Sequence, residues 1–172
     1  MTGDGSGFKQ KIIDINVEEK PTGEITASAG VGTSGKSIGF GVTENNFLGR
    51  GIGLNSNVSF STETIKGLFS VTNPNFLNSD KSVYASLEAS ETDKLKDYGY
   101  KTNKNGFTFG TNFEYLDDFR LGMGSSNYYE KIETDTSASS NMKEQEGNYW
   151  DSFLNLKFDY DKRNQKFQTS DG

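Results

Sequence analysis

The chain contains no cysteine and no histidine. That excludes disulfides, thiol chemistry, zinc sites built on Cys and His, and any catalysis that turns on an imidazole. Proline is almost absent, at 2 of 172 residues. No apolar run approaches the roughly 20 residues that a membrane-spanning helix needs. Positive charge is the minority, with 18 Lys and Arg against 24 Asp and Glu for a net charge of −6. No basic stripe offsets that balance, so nucleic acid is not an expected partner. Hydrophobic residues make up only 31% and mean hydropathy is −0.72, low for a soluble domain with a packed core. The opening Met1-Thr2-Gly3-Asp4-Gly5 does not read as a secretory leader. If the protein is exported, the expectation is that this chain is a piece of something longer.

Glycine (20), phenylalanine (13) and tyrosine (8) are plentiful, and the apolar residues follow a period of two. Between residues 51 and 61, Ile52, Leu54, Val58 and Phe60 alternate with Gly53, Asn55, Asn57 and Ser59. Successive side chains of a strand face opposite sides, so this segment is a strand with one apolar and one small-polar face. The scheme recurs about eight times. It appears at Ile25-Ala27-Ala29-Val31, Ile38-Phe40-Val42, Ile65-Phe69-Val71 and Val83-Ala85-Leu87-Ala89. It returns at Phe107-Phe109-Phe113-Tyr115, Phe119-Leu121-Met123 and Leu154-Leu156-Phe158-Tyr160. Leu68 and Phe153 break the pattern. Most of these strands are expected to run about 8 to 11 residues, close to the 9–11 with which a tilted strand crosses a bilayer.

The connections expected after the second, fourth and sixth strands are residues 44–50, 73–81 and 116–118. Those after the fifth and seventh, 92–105 and 130–149, are longer and polar, and read as exposed loops. Short turns at one rim and long loops at the other are a habit of transmembrane barrels, although the connections after the first and third strands are also short. Residues 8–19 stand apart and read as a strand of a separate soluble unit. Pro21-Thr22-Gly23 then punctuates the chain, and a domain boundary is expected near Lys20.

Two all-β readings compete. A soluble calyx buries its apolar face inward, whereas a membrane barrel turns that face to lipid. Glycine favours the membrane: it falls mostly on the polar face, and the opposite face is long and almost uncharged.

Several stretches together resemble the BamA-type outer-membrane protein assembly factors. Val17-Glu18-Glu19-Lys20-Pro21-Thr22-Gly23-Glu24 is similar to the junction between that family's last POTRA domain and its barrel. Gly30-Val31-Gly32-Thr33-Ser34-Gly35 is similar to the glycine-rich first hairpin. Glu44-Asn45-Asn46-Phe47-Leu48-Gly49-Arg50-Gly51 and Thr72-Asn73-Pro74-Asn75-Phe76 resemble two of its turns. Glu144-Gln145-Glu146-Gly147 and Tyr160-Asp161-Lys162-Arg163-Asn164-Gln165-Lys166-Phe167 resemble motifs before and after its eighth strand. Thr169 stands where the family has proline, and Gly172 fits its final glycine. Each motif alone is weak; their order over about 150 residues is specific.

The resemblance implies an antiparallel transmembrane β-barrel of about 16 strands, of which this chain holds about eight meandering strands. Residues 1–20 would be the end of the last POTRA domain with its linker, and residues 21–172 the N-terminal half of the barrel. It implies no enzyme and no cofactor. It implies a bacterial outer-membrane location, with the lipid bilayer, nascent outer-membrane β-barrel proteins and accessory lipoproteins as partners. The first strand would be a lateral-gate edge that pairs with substrate strands. It comprises Glu24, Ile25, Thr26, Ala27, Ser28, Ala29, Gly30, Val31 and Gly32. Its small residues favour a gate slightly over a strand kept light by a crowded lumen. The residues expected to face lipid are Ile52, Leu54, Val58, Phe60, Phe107, Phe109, Phe113, Leu154, Leu156 and Phe158. Phe76, Tyr84, Tyr115, Trp150 and Tyr160 are candidates for an interfacial aromatic girdle or for ordinary cross-strand packing.

Other chemistry fares worse. Asp117-Asp118 and Asp159 with Asp161 pair carboxylates, but as turn and lumen charges rather than acid–base partners. No complete EF-hand spacing occurs, and Gly30-x-Gly32-x-x-Gly35 lies between strands instead of opening a helix. A related export protein, a self-contained small outer-membrane barrel and a soluble lipocalin-like binder remain as alternatives.

Overall fold

The computed structural model describes residues 14–32 and 35–163. They form one antiparallel sheet of eight strands in sequence order: β1 (Gly23–Gly32), β2 (Gly35–Phe47), β3 (Ile52–Ser61), β4 (Thr64–Asn73), β5 (Ser82–Lys94), β6 (Tyr100–Leu116), β7 (Phe119–Thr134) and β8 (Gly147–Tyr160). Each strand pairs with the one before and the one after it, and β1 and β8 are the two edges. Two short helices, α1 (Leu95–Tyr98) and α2 (Ser140–Glu144), lie in the connections after β5 and β7, and a 3-10 turn (Phe76–Asn78) lies after β4.

The eight alternating segments of the sequence are the eight strands, and their registers agree. One row of partners runs Ile25, Val42, Ser56, Phe69, Leu87, Phe107, and the next runs Glu24, Thr43, Asn55, Ser70, Ser86, Thr108. Because alternate side chains leave opposite faces, one side of the sheet is mainly apolar, with Ser56 as an exception in the first row, and the other small and polar. The layer is single. Ala138, at 7% exposure, is the only buried hydrophobic residue described. The apolar face is also the more exposed one: in β6, Phe107 and Phe109 are exposed while Gly106, Thr108 and Gly110 between them are half-buried. A soluble calyx requires the reverse.

The strands outrun expectation. β6 has 17 residues, β7 16 and β8 14. Residues 92–105 are therefore mostly strand and not loop, whereas of 130–149 only the ends, 130–134 and 147–149, are strand and the polar loop expected there is 135–146. Thr92 pairs with Thr102, Lys94 with Tyr100, and Lys101 with Glu133. Beyond the apolar band both faces are polar, so alternation vanishes from the sequence although the ladder continues. At about 3.3 Å per residue and a tilt of about 40°, ten residues rise about 25 Å, the height of a barrel's apolar band. The 17 of β6 carry the wall well past it.

The band crosses the register at a slant. In one row Ala29, Ile38, Phe60 and Ile65 continue into Glu91, Asn103, Lys131 and Asn148. A line of constant depth therefore steps down the strands from β1 to β8, as tilted strands demand.

Residues 14–22 are neither strand nor helix. The strand expected over 8–19 is thus not formed in its described part, and residues 8–13 lie outside the described residues. So do the middle of the first hairpin, 33–34, and the end of the last motif, 164–172.

Candidate functional site: the β1 edge and the two faces

β1 is held from one side only. From Gly23↔Glu44 to Gly32↔Gly35 every residue faces a partner on β2, and its other side carries no strand among the described residues. All ten residues are exposed, Ile25 and Val31 at 83% and 84%. The lower end is pinned: Asn45 donates to the Thr22 carbonyl through both its backbone N–H and its Nδ2, each at 3.1 Å. Asn46 N–H in turn donates to the Glu44 carboxylate at 2.7 Å. Above that, Ala27, Ala29, Gly30 and Gly32 offer little side-chain packing. Glycine on β2 deepens the effect, since a Cβ at Gly39 or Gly41 would collide with Ser28 Oγ or with Thr26 Oγ1.

All ten residues expected to face lipid, from Ile52 to Phe158, fall on the apolar face. Phe107 stacks on Phe109 with rings 6.4 Å apart and 7° from parallel. One polar chain interrupts this face on β7 and β8. Trp150 Nε1 donates to Ser152 Oγ at 3.0 Å, Ser152 Oγ to Asn127 Oδ1 at 2.8 Å, and Asn127 Nδ2 to Ser125 Oγ at 3.1 Å. Trp150 also comes within 6.3 Å of Phe107, two strands away, so its ring leans across the strand that carries Asn127. Hydrogen bonding within the chain and cover from the indole make these polar groups tolerable on an apolar face.

The polar face holds the two exceptions, Leu68 and Phe153. Phe153 packs edge-on against Tyr128 with ring centroids 6.2 Å apart, and Lys104 Nζ sits 4.5 Å from the same Tyr128 ring. Tyr128 lies where a Cβ on Gly106 would be. Tyr84 belongs here too and not to an outward girdle: its register partner is Gly110, and its phenol lies over Gly110 and Gly124. Sequence periodicity already put Tyr84 out of phase with Val83 and Ala85; its nearness to a strand end obscured this. Among the other girdle candidates, Trp150 and Tyr160 lie on the apolar face at the two ends of the apolar part of β8. Asp159, Glu114 and Arg120 share a row of the polar face at one rim, which supports the reading of Asp159 as a lumen charge.

An open meander with one glycine-lined polar face, one apolar face almost without charge along its band and strands of bilayer-crossing length is a stretch of transmembrane β-barrel wall. The chain belongs to the Omp85 superfamily, whose domain matches residues 46–172, and it is a protein of the bacterial outer membrane. Among solved structures it is similar to BamA from Haemophilus ducreyi lacking POTRA domains 1–3. The TM-score is 0.61 and the identity 22%, over 90% of this chain and 33% of that one. The chain thus spans about a third of the length of that structure. No curated protein matches it by sequence.

Proposed function

We propose that this chain is the N-terminal half of a barrel that folds and inserts other barrel proteins into the outer membrane, with β1 as the edge on which substrate strands grow. The observation that carries the proposal is the one-sided pairing of β1. A row of unspent N–H and C=O groups is a template for a further strand, and within a bilayer no water competes for those groups. Glu24 to Gly32 form the template. In the complete barrel the same edge meets the last strand weakly, because Ala27, Ala29, Gly30 and Gly32 give that partner little to grip. Main-chain bonding is nearly indifferent to side chains, which suits a gate that accepts many substrates. Superfamily membership and the likeness to a BamA barrel support this assignment.

In the same reading the apolar face, including Ile52, Leu54, Val58, Phe60, Phe107, Phe109, Phe113, Leu154, Leu156 and Phe158, meets lipid. Residues 1–20 close a POTRA domain, with the boundary near Lys20. Accessory lipoproteins are further partners of the complete protein. No step requires a catalytic residue or a cofactor.

The test is a proline scan of β1 in the complete protein. Proline deletes one N–H, and alternate N–H groups point to β2 or to the free edge. Proline at edge-facing positions is expected to cut assembly of a reporter barrel several-fold while the protein itself still folds and inserts. Unchanged assembly at every edge-facing position would overturn the gate.

A further inference from the structure

Three connections lie at one rim of the sheet: those after β2, β4 and β6. At each, either in the connection or at the end of the strand that enters it, an aromatic residue is followed by leucine: Phe47-Leu48, Phe76-Leu77 and Tyr115-Leu116. Leu48, Leu77 and Leu116 are 75%, 82% and 62% exposed. The opposite rim has no such pair among its described residues. Its connection after β3 is Thr62-Glu63, that after β5 is Leu95-Lys96-Asp97-Tyr98-Gly99, and that after β7 is a polar loop around α2.

Two of these leucines are held in the left-handed region, Leu48 at φ 56° and Leu77 at φ 55°. That conformation suits glycine or asparagine and costs a leucine free energy. The turns dictate it: Gly49 N–H closes onto the Asn46 carbonyl at 2.9 Å and Asn78 N–H onto the Asn75 carbonyl at 3.1 Å. Neither side chain is buried in return. Strain that the fold does not repay points to a role outside it.

Two of the three tips continue the apolar face. Phe47 pairs with Ile52, and Leu116 with Phe119, so the last rows of the outer face run straight into the turns. Arg50 lies two residues past Leu48 and Lys81 four past Leu77, beside Asp80, while Asp117 and Asp118 follow Leu116, so polar and charged residues flank each leucine. We propose that the three aromatic–leucine tips insert into the phospholipid interface at this rim and fix the depth of the barrel in the membrane. The proposal rests on the outward, lipid-facing reading of the apolar face.

The test is spin labelling of the complete protein in vesicles of phosphatidylethanolamine and phosphatidylglycerol. Single cysteines replace Leu48, Leu77 or Leu116, with Leu54→Cys as the band reference and Glu63→Cys at the opposite rim. Labels at the three tips are expected to be reached by oxygen more than by a water-soluble nickel chelate, as at Leu54, and the label at Glu63 the reverse. Nickel access at the tips with Leu54 still lipid-exposed would overturn the proposal and leave the barrel reading intact. Exclusion of both reagents at the tips would overturn it in favour of a docked protein domain. Nickel access at Leu54 itself would overturn the lipid-facing reading. A second measurement separates anchoring from turn geometry. The double variant Leu48→Asn with Leu77→Asn keeps left-handed turns easily, so its unfolding midpoint in detergent is expected to be unchanged or higher. In vesicles the midpoint is expected to fall. Equal behaviour in both media would count against insertion.

Discussion

The phenol of Tyr84 lies over Gly110, its direct partner on the neighbouring strand, and reaches Gly124 on the strand beyond. Two glycines in one row make a shallow trough on the polar face, and the ring fills it. Replacement of Gly110 by valine forces the ring out, because a Cβ there collides with Tyr84 and with the backbone of Met123. The expected cost is about 1–3 kcal/mol, typical of overpacking. It is measurable as a lowered urea midpoint of the inserted barrel. Combining Gly110→Val with Tyr84→Ala is expected to recover only part of the loss, since the backbone clash remains.

The two faces should respond oppositely to charge. Arginine in place of Phe107 or Leu156, in the apolar band, is expected to cost about 2–4 kcal/mol near the bilayer midplane. Arginine in place of Thr108, the next residue but on the polar face, should be tolerated far better. Folding into vesicles from urea, compared across the three variants, checks the assignment of faces.

The polar chain on β7 and β8 makes a separable prediction. Trp150→Phe keeps an aromatic cover but removes the donor to Ser152, at an expected cost of about 1 kcal/mol. Trp150→Ala also uncovers Asn127 and should cost more. Intensity of the Asn127 side-chain amide in bilayer-bound NMR spectra, read for exchange with water, should rise in the alanine variant and not in the phenylalanine one.

At the far rim the connection after β7 folds against the tip of the β5–β6 hairpin. Asp135 N–H donates to the Gly99 carbonyl at 2.8 Å. The Asp135 carboxylate accepts from the Ser137 hydroxyl at 2.6 Å and from its N–H at 2.7 Å. Those bonds, the hydroxyl first, hold the Asp135 carboxyl below its ordinary value. A carboxyl whose folded value is depressed stabilises the fold above the unfolded value and loses that contribution as pH falls through the lower, folded one. The loop is therefore expected to loosen only under acid conditions, below about pH 4. Amide exchange at Ser137 and Ala138 should speed up there, and Asp135→Asn should abolish the pH dependence.

Much of this was legible in the residues. Period-two alternation located all eight strands and sorted Ile52, Phe107 and Leu156 onto one face, because a strand's side chains must alternate whatever its neighbours are. The breaks in alternation at 44–50 and 73–81 placed two of the turns, and the family-like stretches Glu44 to Gly51 and Thr72 to Phe76 fall on them. Strand ends beyond the band were not legible. In Lys101 to Asn105 both faces meet polar surroundings, so no pattern distinguishes ladder from loop.

The sequence by itself determined that the chain is all β, that its strands are amphipathic by faces, and that it carries the motifs of its superfamily. Only the tertiary structure decided how far β6 and β7 run and how the band slants from Ile38 down to Phe158. The same holds for Tyr84 resting on glycines of two other strands, and for Trp150 reaching over Asn127 to Phe107. Alternation is a property of one strand and can be read along it. Register, tilt and the contacts across strands depend on which backbone lies alongside, and that is settled only when the hydrogen-bonded rows close.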